Sequence, residues 1–447
     1  MSQSSPQKGR HLNRGITAIK IKGYKSLVDD YNLEIRPLTI LAGANSSGKS
    51  SSIQPVLMLK QTLDATYDPG ALLLYGPNVK ATSTEQIFSK LPGKSSTDSF
   101  SVEIVVDQVK NIRHVFRKKP KKSIDLEEFS YRDKSQSVVL REDMTTDQVQ
   151  LSVPKSIREI EEAFSKGGIT DFSWRVERNR CFFVATFRSR HFPGNTTTFA
   201  FPSIEAISGH FRSIIHVPGL RGNPERTYKT TAIGAEFPGT FENYVASVIN
   251  DWQTEKSDRL RALGLSLEAL GLTWKVEARQ IDDTQVELRV GRLPHSIRGG
   301  ARDTVNIADV GFGVSQTLPV LVALLLAQRG QLVYIEQPEI HLHPKAQSAM
   351  AKLLAEAAMK GVSVIVETHS ALLIRSIQTI VARGDLPRDY VKLHWFTRRM
   401  ADGATEITSA DLDENGAFGE WPTDFDEVAL TVESDYLDSI ESNFLKK

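Results

Sequence analysis

LTILAGANSSGKS, residues 38–50, decides how the chain is read. Its apolar half, Leu38 to Gly43, is short, continuous and stopped by glycine, the pattern of a strand buried on both faces. Gly43-Ala44-Asn45-Ser46-Ser47-Gly48-Lys49-Ser50 then fits G-x-x-x-x-G-K-[ST], a phosphate-binding loop. The glycines let backbone N–H groups turn inward around phosphate oxygens, and the helix that follows adds the positive end of its dipole. Lys49 supplies a point charge to the β- and γ-phosphates, and the Ser50 hydroxyl suits Mg²⁺. The bland alternative is a Ser/Gly-rich loop without function. The strand before it and the helical apolar spacing over 50–63 count against that. Pro55 falls early in this helix, so the sequence predicts a bend or a disturbed second turn there.

Residues 315–396 carry the next clearest pattern. SQTLPVLVALLLAQRG (315–330) predicts a buried helix closed by glycine, with a helix N-terminus at Ser315. QLVYIE (331–336) and VSVIVE (362–367) predict buried strands, and Pro344 to Met359 a helix with proline in its first turn and Gly361 as its stop. Helix and strand alternate, which predicts an α/β fold with parallel strands. Glu336 falls at the carboxyl end of its strand. Ligands bind there in open α/β sheets, and a phosphate loop needs an acid there for its Mg²⁺ shell. His341 and His343 are two residues apart, on opposite sides of an extended segment, so a structural role is expected for both.

The whole chain has 447 residues, 55 Lys+Arg, 54 Asp+Glu and one cysteine, Cys181. This is ordinary globular composition for several domains. A disulfide within the chain and a multi-cysteine zinc site are excluded, and a reducing, cytoplasmic setting fits. The first residues show no secretory pattern, and the apolar run Leu318 to Ala327 is too short for a bilayer, so no membrane contact is expected. We read 15–95 and 301–400 as two parts of one unit, 96–300 as a mixed α+β insert that partly rejoins it, and 401–447 as an acidic C-terminal element. Within 96–300, residues 99–109 and 171–192 read as strands and 154–168 as a short helix. Two basic clusters, Lys110 to Lys122 and Arg175 to Arg190, are candidates for DNA phosphates, with a solvated hairpin as the alternative.

Four pieces in order resemble an ABC-type ATPase head: the loop at 43–50, DVGFGVSQTLP (309–319), YIEQPEIHLHP (334–344) and VIVETHS (364–370). The PEIHLHP and ETHS forms, and the opening IKGYKSL, are similar to the branch holding RecF, SMC and the overcoming-lysogenization-defect proteins. That branch includes stand-alone AAA-family ATPases of bacterial anti-phage defence. The resemblance covers about the first 90 and the last 150 residues. It implies an ABC-type P-loop head with a mostly parallel core sheet, interrupted by the insert, and ATP with Mg²⁺ as cofactors. Lys49 and Ser50 would be the Walker A contacts, Glu336 the Walker B acid and His369 the switch histidine. Gly313, Ser315 and Gln316 would form the signature loop, which reaches the ATP of a second head and so implies a homodimer or higher oligomer. Lys25 and Ser26, with Tyr24, would lie near the nucleotide, and Gln86 is a candidate to join Mg²⁺ to the attacking water. Arg221 or Arg226, in a segment similar to one recurrent in this branch, would reach a phosphate across the dimer, with a tight structural loop as the alternative. The tail 412–427 also resembles a C-terminal element of this branch.

One position departs from the family. The general-base glutamate that follows the Walker B acid is here Gln337. An amide orients water but takes no proton, so hydrolysis is expected to be slow, or to use Glu339 or His369. The stretch after His369 is too short for the nuclease domain that some relatives carry. The implied function is a nucleotide-dependent sensor or scaffold that controls a separate effector, a nuclease or toxin, in anti-phage defence. The alternatives are a DNA-repair or DNA-clamping ATPase and a non-hydrolysing ATP-bound scaffold.

Overall fold

The apolar run at Leu38 becomes the middle of a six-stranded sheet in the computed structural model, which describes residues 14–93, 96–119, 123–166, 172–189, 197–295 and 303–419. The sheet order is β11 (Ile215–Val217), β16 (Leu332–Glu336), β17 (Ser363–Thr368), β3 (Leu38–Gly43), β18 (Val391–Arg398) and β19 (Thr405–Ala410). All neighbours pair in parallel except β18 and β19. Every residue of β3 and β17 is buried, as continuous apolar runs require when both faces are covered.

A second six-stranded sheet, antiparallel, runs β2 (Tyr31–Glu34), β1 (Ile16–Lys22), β4 (Ser99–Val106), β5 (Lys110–Lys119), β6 (Ser123–Arg132) and β7 (Ser137–Leu140). With α1 (Gln54–Asp64) and α4 (Ile204–Arg212) it covers the face of the central sheet that carries Leu41, Tyr334, Ile365 and Phe396. A three-stranded sheet, β10 (Thr197–Phe201), β9 (Phe182–Ser189) and β8 (Phe172–Asn179), packs on the same core, near α2 (Thr146–Ser152) and α3 (Lys155–Lys166). The opposite face, Ile40, Val333, Ile335 and Val364, meets α5 (Val245–Thr254), α6 (Asp258–Ala269), α7 (Phe312–Leu326), α8 (Pro344–Met359) and α9 (Ala371–Ala382). Under these helices lies a small sheet of β12 (Tyr228–Lys229), β14 (Gln285–Gly291), β13 (Val276–Gln280) and β15 (Thr304–Asn306). No helix among the described residues is long and apolar enough to cross a membrane.

The structure bears on three expectations. First, residues 96–300 rejoin the head at two places: β4 pairs with β1, and β11 pairs with β16 at the edge of the central sheet. The reason is that β1 alternates buried and half-buried residues and needs partners on both edges. Second, Pro55 leaves the second turn intact. Ser50–Ser52 form a separate 3-10 turn, the α-helix begins at Gln54, and the proline sits in that helix's first turn, where its missing N–H costs nothing. Third, α7 starts at Phe312, so Ser315 lies inside the helix and is not its N-terminal residue.

Part of each basic cluster is paired among the described residues. Arg113, Arg117 and Lys119 of β5 pair with Glu128, Glu127 and Asp125 of β6 at 2.6–2.8 Å. In the register these partners are offset from the directly opposite residues, and long side chains of opposite charge stabilise a strand pair across that diagonal. Arg178 pairs with Asp68, and the Arg180 guanidinium donates to the carbonyls of Thr62, Leu63 and Ala65, the open C-terminal end of α1. Lys121, Lys122, Arg190 and most of the acidic tail lie outside the described residues.

His114 and His394 are buried away from the loop at 43–50. His114 packs among Phe116, Phe129, Phe182 and Phe211, with neither ring nitrogen hydrogen-bonded, and burial lowers its pKa from 6.5 to about 3. Burial likewise lowers His394 to about 4. Below pH ~6.5 the unfolded chain binds a proton at each site and the folded chain does not, so stability falls as pH falls. His114 alone contributes about 1.4 kcal/mol per pH unit of this loss. Urea denaturation should show wild type losing about 2 kcal/mol more than His114→Phe between pH 6.5 and 5.

Candidate nucleotide site

The carboxyl ends of β3, β17 and β16 form one edge, and the loop from Gly43 to Ser50 folds over it. Side chains at Gly43 or Gly48 would collide with the Phe396 carbonyl or the Thr405 hydroxyl, and both glycines have φ values, 136° and 109°, that favour glycine. A basin of about 620 Å³ opens above the loop. Asn45, Ser46, Ser47, Gly48, Lys49 and Ser50 line one side, and Gln54, Gln337, Glu367, His369 and Arg398 the other. Lys49 Nζ donates to the carbonyls of Gly43 (3.1 Å) and Ala44 (2.8 Å). Among the described residues nothing accepts from the backbone N–H groups of Gly48, Lys49 or Ser50. Such a set of open donors above a buried cation is what a polyphosphate requires.

The acids divide their work in a way the motif reading missed. Ser50 Oγ donates to Glu367 Oε1 at 3.0 Å, and Tyr334 OH donates to Glu367 Oε2 at 2.9 Å. Glu336 lies beside Glu367 in register but is held elsewhere: its oxygens meet His216 Nε2 (3.1 Å) and the Gly219 N–H (3.0 Å). Burial, then the neighbouring Glu336 charge, raises the Glu367 pKa; burial also acts to raise that of Glu336, but His216, the Gly219 N–H and the Tyr334 hydroxyl together lower it. Glu339 accepts from Thr368 Oγ1 (2.7 Å) and from the His369 N–H (2.9 Å), so it positions the switch histidine and does not line the basin. Burial and Lys49 lower the His369 pKa, which keeps its imidazole neutral at pH 7. The Gln337 N–H donates to the Glu367 carbonyl at 2.7 Å, and its φ of 45° turns its side chain into the basin.

The other expected contacts are spread out. Lys25 Nζ reaches Gln54 Oε1 (2.6 Å), the glutamine that does line the basin, and Tyr24 OH touches the same oxygen at 3.2 Å. Ser26 receives the Thr405 hydroxyl, which also holds the Ser47 carbonyl. Gln86 is a correction: its amide bonds Thr82 on an exposed 3-10 turn, outside the basin, because the local turn satisfies both of its polar atoms. Arg398, Gln54 and Thr405 were missed; Arg398 and Thr405 come from strands and Gln54 from the start of α1, with no motif to mark them. Glu367 had a visible signal, since a glutamate ends its buried strand just as Glu336 does.

Residues 38–375, about three quarters of the chain, match the family described as "AAA domain, putative AbiEii toxin, Type IV TA system". The chain belongs to this AAA family. It is an ATPase of the AAA type, and membership implies a nucleotide. No curated protein matches the sequence. Among solved structures, an SMC head bound to the C-winged helix domain of ScpA is 13% identical over 90% of this chain and 98% of that one, with a TM-score of 0.48. An SMC head domain from Thermotoga maritima is 13% identical over 88% and 98%, with a TM-score of 0.40. An Smc head with extended coiled coil bound to the C-terminal domain of ScpA, derived from Pyrococcus furiosus, is 11% identical over 96% and 99%, with a TM-score of 0.44.

In this AAA ATPase the donor set fits Mg²⁺. A hydroxyl beside two carboxylates is hard-oxygen chemistry, and among the described residues no three His, Cys, Asp or Glu side chains form a complete metal cage. Mg²⁺ bound to nucleotide keeps phosphate and water ligands and needs few from protein. The signature residues stand apart from this basin. Gly313 packs on Leu272, while Ser315 and Gln316 line a different cavity of about 580 Å³. Arg221, 7% exposed, ties the two regions together by donating to the carbonyls of Gln316 (3.0 Å) and Glu336 (2.6 Å). It is therefore an internal clamp and cannot reach across a dimer, and burial lowers its pKa to about 10. Arg226 is exposed and pairs with Asp309 at 2.7 Å. Arg221→Met should cost about 3 kcal/mol in chemical denaturation, since it strips buried carbonyls of their donor. Arg221→Lys should not restore it, because one ammonium cannot reproduce the planar fork.

Proposed function

We propose that the protein binds Mg·ATP in the 43–50 basin and uses its nucleotide state to join and release two or more heads, as a sensor or scaffold that controls a separate effector, a nuclease or toxin, in bacterial anti-phage defence. The observation that carries the ATP reading is the basin itself, with Lys49 drawn onto the loop carbonyls, the open N–H groups and the Ser50–Glu367 pair in one place. In this reading Lys49 moves from the Gly43 and Ala44 carbonyls to the β- and γ-phosphates. Gln54 reaches the metal's water shell from its place on the basin wall, and Glu336 closes the metal side from its neighbouring strand. His369 meets the γ-phosphate from the opposite wall as a neutral imidazole. The Mg²⁺ would supply charge neutralisation at the phosphates.

Gln337 can hold an attacking water but takes no proton, Glu339 is committed to the His369 backbone, and turnover is slow. Ser315 and Gln316 face away from the basin of their own chain, and this supports a site completed by a second head. The paired charges on β5 and β6 favour control of an effector over a DNA clamp. The family description, with its toxin and Type IV system, points the same way.

Lys49→Ala should lower ATP affinity at least a hundredfold and abolish ATP-dependent assembly in size-exclusion chromatography; unchanged affinity refutes the site. Gln337→Glu should raise steady-state turnover, and a flat rate counts against the assignment of this position to water activation. Purification of the native protein should bring down a nuclease or toxin, and ATPase stimulation by duplex DNA with steep salt dependence would instead establish the clamp.

A further inference from the structure

We infer that Glu367 is the carboxylate that positions the Ser50 hydroxyl for the metal, so that the serine's lone pair is aimed by β17 and not by the Glu336 strand. This rests on the Mg·ATP reading above. In the parallel register Glu367 partners Glu336 on one side and Leu41 on the other, so its side chain emerges on the face where α1 and the Ser50 turn lie. β17 stands between β16 and β3, which makes it the nearer strand to the loop.

The hydrogen bonds agree with that placement. Ser50 Oγ gives its proton to Glu367 Oε1 at 3.0 Å, and Glu367 Oε2 is fixed by the Tyr334 hydroxyl at 2.9 Å, so the carboxylate, 5% exposed, cannot swing away. Glu336 makes no bond to Ser50; His216 and Gly219 hold its oxygens on the far side. A serine that donates its proton to a fixed acceptor has its lone pairs turned to the opposite side, toward the basin, where a hard cation takes oxygen ligands. Glu367 thus acts through Ser50 and is a positioning residue. Its backbone carbonyl also holds the Gln337 N–H, so one residue sets both the metal side and the water side of the basin.

The test is nucleotide binding by the full chain, measured with a fluorescent ATP analogue in EDTA and across a Mg²⁺ titration, for wild type, Glu367→Gln, Ser50→Ala, the double variant and Tyr334→Phe. Glu367→Gln should keep wild-type affinity in EDTA and raise the half-saturating Mg²⁺ concentration at least tenfold. Ser50→Ala should do the same, and the double variant should be no worse than the stronger single one. Tyr334→Phe, which frees Glu367 Oε2, should raise the Mg²⁺ midpoint too, but by less than Glu367→Gln does. An unchanged midpoint in Glu367→Gln, additive effects in the double variant, an equal shift in Tyr334→Phe, or loss of binding in EDTA as well, each overturns the assignment while Mg·ATP binding by wild type stands. Wild type that binds no nucleotide overturns the ATP reading itself, and this assignment with it.

Discussion

The register of three parallel strands governs this site. Glu336 lies level with Glu367, and Thr368 level with Ala42, one residue before the loop begins at Gly43. A slip of one residue in β17 would turn Glu367 away from Ser50 and put an apolar side chain under the phosphates, because strand side chains alternate faces. Burial on both faces holds the register. Ile40, Val364 and Val366 are locked into the helical layer, while Leu41, Ile365 and Tyr334 are locked into the layer beneath the antiparallel sheet.

The three acids at that edge are each tied to a neighbour. Glu339 fixes the turn that presents His369, Tyr334 fixes Glu367, and His216, stacked on Tyr334, holds Glu336. Such a chain is stiff because an unpaired buried carboxylate or carbonyl costs more than its bond contributes. Two carboxylates in adjacent strands remain in mutual repulsion, which a bound cation relieves.

Arg221 extends this edge to the signature helix. Its two branches hold the carbonyls of Glu336 and Gln316, and Gln316 returns a bond to the Gly222 carbonyl at 2.8 Å. The end of β16 and the start of α7 are thus joined through one buried planar group.

The loop at 43–50, the strands that flank it and the helix after Pro344 were legible in the sequence, because each rests on local pattern: continuous apolar runs, glycines where backbone must approach, proline in a first turn. The family followed from the spacing of those same pieces. Folding alone decided which of two equivalent strand-end glutamates reaches Ser50, since that depends on β17 lying between β16 and β3, an order that no local pattern records. It also decided that Arg221 turns inward, that Gln54 and not Gln86 faces the basin, and that 96–300 supplies strands to both sheets. These are matters of pairing between distant segments. Local sequence sets the tendency of a segment to be strand or helix, but its neighbours are chosen by the mutual burial of faces.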